Sequence, residues 1–232
     1  MAVEEAIVLV GGLGTRLRTV ISDLPKPLAP VGGRPFLAWV LDHLAENGIK
    51  HVVLAAGYLA EKVAESVGKE WRGMRLDYSL EGSPLGTGGA LRQASGMLYG
   101  AGVHVLNGDT FLKYDLLGLE AVAGITGCDL VMALAHAENV ARYGAVACTG
   151  GRVTGFLEKG SVGPGLINAG SYFLTRRAIL DLPSDESYSF ETGVLRPFVE
   201  AGRVCAFEDT DGFIDIGVPE DYRRAQQMFV QS

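Results

Sequence analysis

The chain has 232 residues, of which 48% are hydrophobic and 20% charged, and its formal net charge is -7. This composition supports a substantial apolar core and excludes an intrinsically disordered chain. The acidic balance argues against a nucleic-acid groove, because such grooves cluster lysine and arginine around the phosphate backbone.

The three cysteines, Cys128, Cys148 and Cys205, are far apart and form no C-x-x-C motif. Their number and spacing predict neither a disulfide framework nor a thiolate zinc site, and they fit a reducing cytoplasm. Glu4 and Glu5 stand where a signal peptide would be basic, and no apolar run approaches the about 20 residues that span a bilayer. We therefore expect a cytoplasmic protein with no membrane or nucleic-acid partner.

The first predicted element is an apolar strand over residues 6–10. It runs into three glycines: Gly11, Gly12 and Gly14. Because glycine has no Cβ atom, backbone N–H groups of such a loop can approach a ligand closely, and such groups bind anions. The loop is predicted to hold a phosphate, although a tight turn without a ligand uses the same residue type.

Two cations follow this loop. Arg16 offers a planar fork for phosphate oxygens, and Lys26 offers a compact charge between two prolines that stiffen its backbone. The loop matches neither the P-loop motif nor the dinucleotide fingerprint, because Leu17 stands where the third glycine of the fingerprint would be. It is a phosphate loop of another kind.

A βα alternation comes next. Residues 35–48 have helical spacing, residues 51–56 form a buried strand that ends at Gly57, residues 60–67 form a helix and residues 74–80 a strand. This alternation of strands and helices predicts an α/β fold: a three-layer, mostly parallel, Rossmann-like sheet with helices on both faces. In such sheets ligands bind beyond the carboxyl ends of the strands, which is where Gly57 lies.

A second glycine-rich loop begins at Glu81 and leads into a helix predicted over residues 90–98. Its sequence, E-G-S-P-L-G-T-G-G-A, is typical of a ligand-facing turn. A plain helix-capping loop, with Thr87 as the capping residue, also fits this stretch.

Two aspartates end or interrupt apolar strands. Asp109 follows an apolar strand that begins at Val103, and it requires a hydrogen-bond partner, a cation or a metal; an N-cap for the helix near Asp115 is the alternative. Asp215 lies between two isoleucines in a strand over residues 212–216, where a carboxylate is unlikely to serve packing. With no histidine or cysteine cluster nearby in sequence, two such acids predict an all-oxygen site for Mg2+ or Mn2+.

The sequence pattern changes after Arg142. Residues 143–148 and 152–157 predict a hairpin around glycine turn residues, hence a small antiparallel lobe. A strand follows over residues 166–174, then a helix over 190–200 capped by Ser189 and a strand over 203–207. Pro219 begins the last helix, where Glu220 and Asp221 are favourable near its positive end.

The pattern L-x-G-G-x-G-T-R-L over residues 9–17, with P-K-P at 25–27, resembles the signature of the sugar nucleotidyltransferases, which join a sugar 1-phosphate to a nucleoside triphosphate. The resemblance covers nearly the whole chain, up to D-I-G-V-P-E-D-Y at 215–222. Several stretches are most similar to the D-glycero-alpha-D-manno-heptose 1-phosphate guanylyltransferases of bacterial capsule and surface-glycan synthesis. Mannose 1-phosphate guanylyltransferases and uridylyltransferases share these motifs, so the sugar and the base stay open. A non-catalytic nucleotide-sensing protein is an alternative of another class.

The resemblance implies a role for each half of the chain, with one domain over 1–232. The part over 1–135 binds the nucleotide, through Leu9, Gly11, Gly12, Gly14, Thr15, Arg16, Lys26, Gly57, Glu81, Pro84, Gly86, Thr87 and Asp109. The part over 136–232 binds the sugar phosphate, through Tyr143, Gly144, Glu158, Lys159, Asn168 and Gly170. Asp109 and Asp215 are the implied metal ligands. The implied catalytic residues are these two acids with Arg16, Lys26 and Lys159.

The implied partners are GTP and a sugar 1-phosphate. Guanine presents two adjacent N–H donors that the Glu81 carboxylate can accept as a pair, whereas uracil presents one, which favours guanine. A sugar phosphate loses its second proton near pH 6, so its nucleophilic oxygen needs no general base. We expect cations and fixed N–H donors to stabilise the charge that develops during transfer. The sequence gives no indication of oligomeric state.

Overall fold

The computed structural model describes residues 2–11, 24–57, 59–157, 160 and 162–230. The strands are β1 (Glu5–Leu9), β2 (Pro30–Val31), β3 (Arg34–Pro35), β4 (His51–Ala56), β5 (Glu70–Trp71), β6 (Met74–Leu80), β7 (Gly102–Asn107), β8 (Thr110–Tyr114), β9 (Leu130–Ala137), β10 (Val146–Thr149), β11 (Arg152–Phe156), β12 (Gly165–Thr175), β13 (Val204–Phe207) and β14 (Thr210–Asp215). The helices are α1 (Phe36–Glu46), α2 (Ala60–Val67), α3 (Gly86–Ser95), α4 (Leu116–Thr126), α5 (Arg176–Leu180), α6 (Arg196–Glu200) and α7 (Pro219–Val230), with a 3-10 turn at Lys26–Leu28 and a π-helical turn at Glu191–Leu195.

Within the described residues, ten strands form one sheet in the order β10-β11-β13-β9-β12-β7-β1-β4-β6-β5. Four neighbours at its centre, β7, β1, β4 and β6, are parallel. β12, β11 and β5 run opposite to the other strands. The hairpin β10–β11 continues this sheet at one edge, whereas β14 pairs with β8 in a separate two-stranded sheet.

Helices cover both faces, so the predicted three-layer α/β fold is confirmed. Alternate residues of β1 point to opposite cores: Ala6 and Val8 join one cluster, and Ile7 joins the other. The first cluster includes the apolar faces of α1, α2, α4 and α7, and the second those of α3, α5 and α6. A strand buried on both faces requires a nearly continuous apolar sequence, which is what β1 and β4 have.

Some elements differ from the prediction. The helix predicted over residues 190–200 is a π-helical turn followed by α6, and no side-chain hydrogen bond caps that turn. α3 begins at Gly86, inside the predicted loop, and no side-chain hydrogen bond caps it. Asp109 is followed by strand β8, so the interpretation of Asp109 as a helix cap is wrong. Asp115 caps α4 instead, and its side chain accepts a hydrogen bond from Leu117 N at 3.0 Å.

The prediction that the cysteines form no disulfide is wrong. Cys128 and Cys205 form one, and both residues are buried. Parallel pairing of β9 and β13 brings together two positions that are 77 residues apart in sequence, which spacing in the sequence does not reveal. Cys148 is a free thiol. Among the helices that the structure describes, none is both long and apolar enough to cross a membrane.

Candidate active site

Several predicted ligand-binding residues lie at one edge of the sheet. Asp109, Gly11, Gly57 and Glu81 follow the carboxyl ends of β7, β1, β4 and β6, which are neighbours in that order. Because parallel strands end at the same edge, these residues lie side by side there, where sheets of this kind have their ligand-binding crevice. The order places the carboxylate of Asp109 at one end of the crevice and Glu81 at the other.

Lys26, Asp109 and Asp215 form a charge cluster at the first end. The Lys26 ammonium lies 2.5 Å from Asp109 Oδ2 and 3.4 Å from Asp215 Oδ1. A backbone hydrogen bond from Ile216 N to Asp109 O (3.1 Å) fixes β14 beside the end of β7. Residues separated by 189 positions in sequence therefore share one site.

The two carboxylates differ in environment. Burial raises the pKa of Asp215, and the Asp109 carboxylate raises it further; the Lys26 ammonium and the Gly217 N–H, which donates to Asp215 Oδ1 at 2.6 Å, oppose this shift. Among the described residues, two carboxylates face one ammonium. Such a cluster attracts a further cation.

A cavity of about 470 Å3 occupies the opposite end of the crevice and is bordered by Leu9, Gly11, Gly57, Glu81, Pro84, Gly86 and Thr87. Glu81 forms its wall: Oε2 accepts a hydrogen bond from Leu85 N at 2.9 Å. A Cβ atom at Gly11 would lie 3.0 Å from Glu81 Oε1, and one at Gly57 would lie 3.3 Å from it. These two glycines therefore make room for the carboxylate of Glu81.

The glycines at the start of α3 have a different role, because a chain segment over residues 186–190 packs directly on them. A Cβ atom at Gly86 would lie 2.5 Å from Tyr188 O, and one at Gly89 would lie 2.6 Å from Glu186 O. Gly88 N donates to Tyr188 O at 2.9 Å, and the Thr87 hydroxyl accepts from Phe190 N at 2.9 Å. The G-T-G-G sequence is thus required for contact with another part of the protein, which sequence reasoning missed.

The predicted sugar-binding residues on β12 lie on the opposite side of β7 from the cavity beside Glu81. β12 pairs with β7 and has an irregularity between Asn168 and Ser171, at the height of the β7 end. Gly170 has a φ of +71°, and a Cβ atom there would lie 2.5 Å from Asn107 Nδ2. Asn168 Oδ1 accepts from Gly170 N at 3.0 Å. The irregularity thus turns Asn168 towards a neighbouring cavity of about 310 Å3.

This cavity is bordered by Tyr143, Gly144 and Asn168, all of them predicted sugar-side residues, and by Glu191, Leu195 and Arg196, which sequence reasoning did not select. Glu191 and Arg196 flank the π-helical turn. Their sequence context, F-E-T-G-V-L-R-P, is an ordinary amphipathic helix pattern and contains no signal for a site.

Asp221 also has a larger role than predicted. It is 2% exposed, although carboxylates at helix N-termini normally face solvent. It accepts hydrogen bonds from Arg142 and from the Tyr143 hydroxyl, the latter at 3.3 Å, and Arg224 lies at 3.7 Å. The buried carboxylate of Asp221 therefore holds the chain just before Gly144, at the mouth of the sugar-side cavity.

The remaining predicted site residues are Gly12, Gly14, Thr15, Arg16, Glu158 and Lys159. They lie outside the described residues. The chain enters and leaves the first of these stretches at Gly11 and Leu24, and the second at Leu157 and Gly160.

Known proteins resemble the chain over nearly its whole length. A family model described as nucleotidyl transferase matches residues 5–232. The chain is 40% identical to the D-glycero-alpha-D-manno-heptose 1-phosphate guanylyltransferase of Aneurinibacillus thermoaerophilus, over 96% of this chain and 97% of the relative. It is 40% identical to the protein of the same name from Campylobacter jejuni, over 94% and 96% of the two chains. The crystal structure of HddC from Yersinia pseudotuberculosis complexed with GMP-PN superposes with a TM-score of 0.86, at 34% identity, covering 98% of this chain and 100% of that one.

Proposed function

Because the chain belongs to the nucleotidyl transferase family, we propose that it transfers GMP from GTP to D-glycero-alpha-D-manno-heptose 1-phosphate, giving GDP-heptose and pyrophosphate. The convergence of Lys26, Asp109 and Asp215 at the carboxyl edge of the sheet carries this proposal. The names of the two bacterial relatives support the choice of base and sugar. We further propose that the product serves capsule or surface-glycan synthesis, and that an enzyme which uses GTP works in the cytoplasm.

The crevice suits a nucleotide that lies across four strand ends. We place the triphosphate over β1 and β7, near Lys26 and the loop that begins at Gly11, and the base in the cavity beside Glu81. The sugar phosphate enters from β12, through the cavity at Gly144 and Asn168. The part over residues 1–135 then binds the nucleotide, and the part over 136–232 supplies the sugar contacts and Asp215.

The carboxylates of Asp109 and Asp215 fit a hard divalent cation such as Mg2+ or Mn2+, because both already converge on one ammonium group and offer only oxygen atoms. The described residues contain no group of three or more acidic, histidine or cysteine side chains that could hold a metal. Mg2+ commonly takes one or two protein carboxylates together with substrate phosphates. When bound, it would neutralise charge on the phosphate oxygens.

The chain's own residues provide binding, orientation and electrostatic stabilisation. The sugar phosphate is already anionic at neutral pH, so no side chain has to remove a proton from it. With a cation held by the two carboxylates, the Lys26 ammonium would be available to a phosphate oxygen. We assign Arg16 and the glycines of its loop to the triphosphate and Lys159 to the sugar phosphate, and we assign Glu158 to the sugar.

Glu81 provides a test of the base preference. Leu85 N occupies one acceptor site of Glu81 Oε2, so Oε1 and the second site of Oε2 are left for the two N–H donors of guanine. In Glu81→Gln the amide oxygen would keep the Leu85 bond, and the amide N–H groups would face the N–H donors of guanine. We expect kcat/KM for GTP to fall about tenfold or more, whereas the exposed control Glu65→Gln should leave it unchanged. Unchanged preference for GTP over UTP and CTP in Glu81→Gln would remove Glu81 from this role.

A further inference from the structure

Two charged side chains at the sugar-side cavity have no assigned role. Glu191 and Arg196 both border it and are both exposed. Neither side chain forms a hydrogen bond or an ion pair with any other residue that the structure describes. A carboxylate and a guanidinium that face one cavity and lack partners are available to a ligand.

The π-helical turn explains how both reach the same cavity. In an α-helix, residues five apart point about 140° away from each other, since each residue turns the helix by about 100°. Here the turn is widened, and Arg196 N donates to the carbonyl of Glu191, five positions earlier. The wider turn places Glu191 and Arg196 on the same side. Such π turns are rare and occur frequently at functional sites.

The cavity has two distinguishable ends. At one end, the ring of Tyr143 packs edge-on against Phe213, in the strand β14 that ends at Asp215. At the other end, Phe190, next to Glu191, packs edge-on against Tyr172. Tyr172 lies opposite Val105 in β7, farther from the carboxyl edge of the sheet than Asn168. The reacting phosphate belongs at the end that holds Asp215. Glu191 and Arg196 therefore lie at the end that receives the part of the sugar farthest from the phosphate.

We propose that Glu191 and Arg196 bind the exocyclic hydroxyl groups of the sugar, on C6 and C7 of a heptose, and so determine the preference for a heptose over a hexose. This inference rests on the proposed function. A carboxylate accepts hydrogen bonds from hydroxyl groups, and a guanidinium donates to their oxygens. A manno-hexose has the same ring but lacks the seventh carbon with its hydroxyl, so it leaves part of this pair without a partner.

The test compares D-glycero-alpha-D-manno-heptose 1-phosphate with mannose 1-phosphate at saturating GTP. For Glu191→Gln and Arg196→Gln we expect kcat/KM for the heptose phosphate to fall about tenfold or more, mainly through KM. The value for mannose 1-phosphate should change less than about threefold, and KM for GTP should not change. Glu200→Gln, at the exposed end of α6, is the matched control and should behave as wild type.

Arg196→Lys and Glu191→Asp keep the charges and should recover part of the heptose preference. An unchanged ratio of the two sugar phosphates in all four variants would overturn the inference, as would equal use of both by the wild type. Absence of any GDP-sugar product from the wild-type protein would instead contradict the proposed function, so the two failures are distinguishable.

Discussion

Gly88 lies in the first turn of α3, where an added methyl group would overlap the ring of Tyr188. A Cβ atom there would lie 2.1 Å from Tyr188 Cε2 and 2.3 Å from Cδ2. The ring has little freedom to move aside, because it also lies against Gly193, where a Cβ atom would be 2.7 Å from Cδ2. Gly88→Ala should therefore force the segment over residues 186–190 away from α3.

The expected magnitude follows from comparison with a second glycine. Gly124 lies in α4, and a Cβ atom there would meet nothing within 4 Å. Gly124→Ala should gain up to about 1 kcal/mol of helix stability. Gly88→Ala carries the same intrinsic gain but adds an overpacking cost of about 1–3 kcal/mol. We expect this cost to appear as the difference in unfolding free energy between the two variants, measured by urea denaturation.

A double-mutant cycle identifies the cause. If the clash is with the ring, Tyr188→Ala should make Gly88→Ala much less destabilising than it is in the wild-type background. If Gly88 instead makes room for the nucleotide, Gly88→Ala should leave stability unchanged and raise KM for GTP in both backgrounds. Equal unfolding free energies for Gly88→Ala and Gly124→Ala would refute the packing argument.

Four further variants test other parts of the account. Lys26→Ala and Asp109→Asn should each lower kcat about 100-fold or more, as measured by pyrophosphate release, and near-normal turnover would exclude the assigned role. Burial lowers the pKa of His43 from 6.5 to about 4, so the folded state resists protonation of this side chain. Up to about 3 kcal/mol of stability should therefore be lost as the pH falls from 6.5 towards 4. His43→Leu should remove this loss in urea denaturation, and a pH profile identical to that of the wild type would contradict the argument. Asp221→Asn removes the negative charge that faces the arginine and tyrosine partners and should lower the free energy of unfolding by about 1–3 kcal/mol. It should also raise KM for the sugar phosphate but not for GTP, whereas Glu220→Gln, at the exposed neighbour, should change neither. Equal changes in both KM values would indicate a general structural role.

Much of the fold could be predicted because the chain's periodicities are strong. The strand over residues 51–56 and the helix over 60–67 have the predicted bounds, since one is almost wholly apolar and the other ends at Gly68. Strand β8 was missed because residues 110–114 alternate only weakly before the Asp115 cap. The start of α3 was missed because glycines favour loops, and only the packing of residues 186–190 makes a helix with three glycines stable there.

The residues of the candidate site were also only partly predictable from sequence. Asp109 and Asp215 could be selected from sequence because a carboxylate at the end or in the middle of an apolar strand is costly without a partner. Asp221, Glu191 and Arg196 could not, because acids and bases near helix ends are common on exposed surfaces. Their positions depend on which helix turn faces a cavity. The helix turn that faces the cavity is set by the π-helical turn and by the docking of α7. Neither feature can be predicted from the local sequence.

The most direct test of the proposed reaction is pyrophosphate release across a matrix of nucleoside triphosphates and sugar 1-phosphates, with heptose, mannose and glucose 1-phosphates each paired with GTP, UTP and CTP. We expect the highest kcat/KM for GTP with D-glycero-alpha-D-manno-heptose 1-phosphate, together with a product that has the mass of GDP-heptose. No release with any pair would contradict the account and favour a nucleotide-sensing protein, and a higher kcat/KM for UTP or for another sugar phosphate would contradict the assigned substrates.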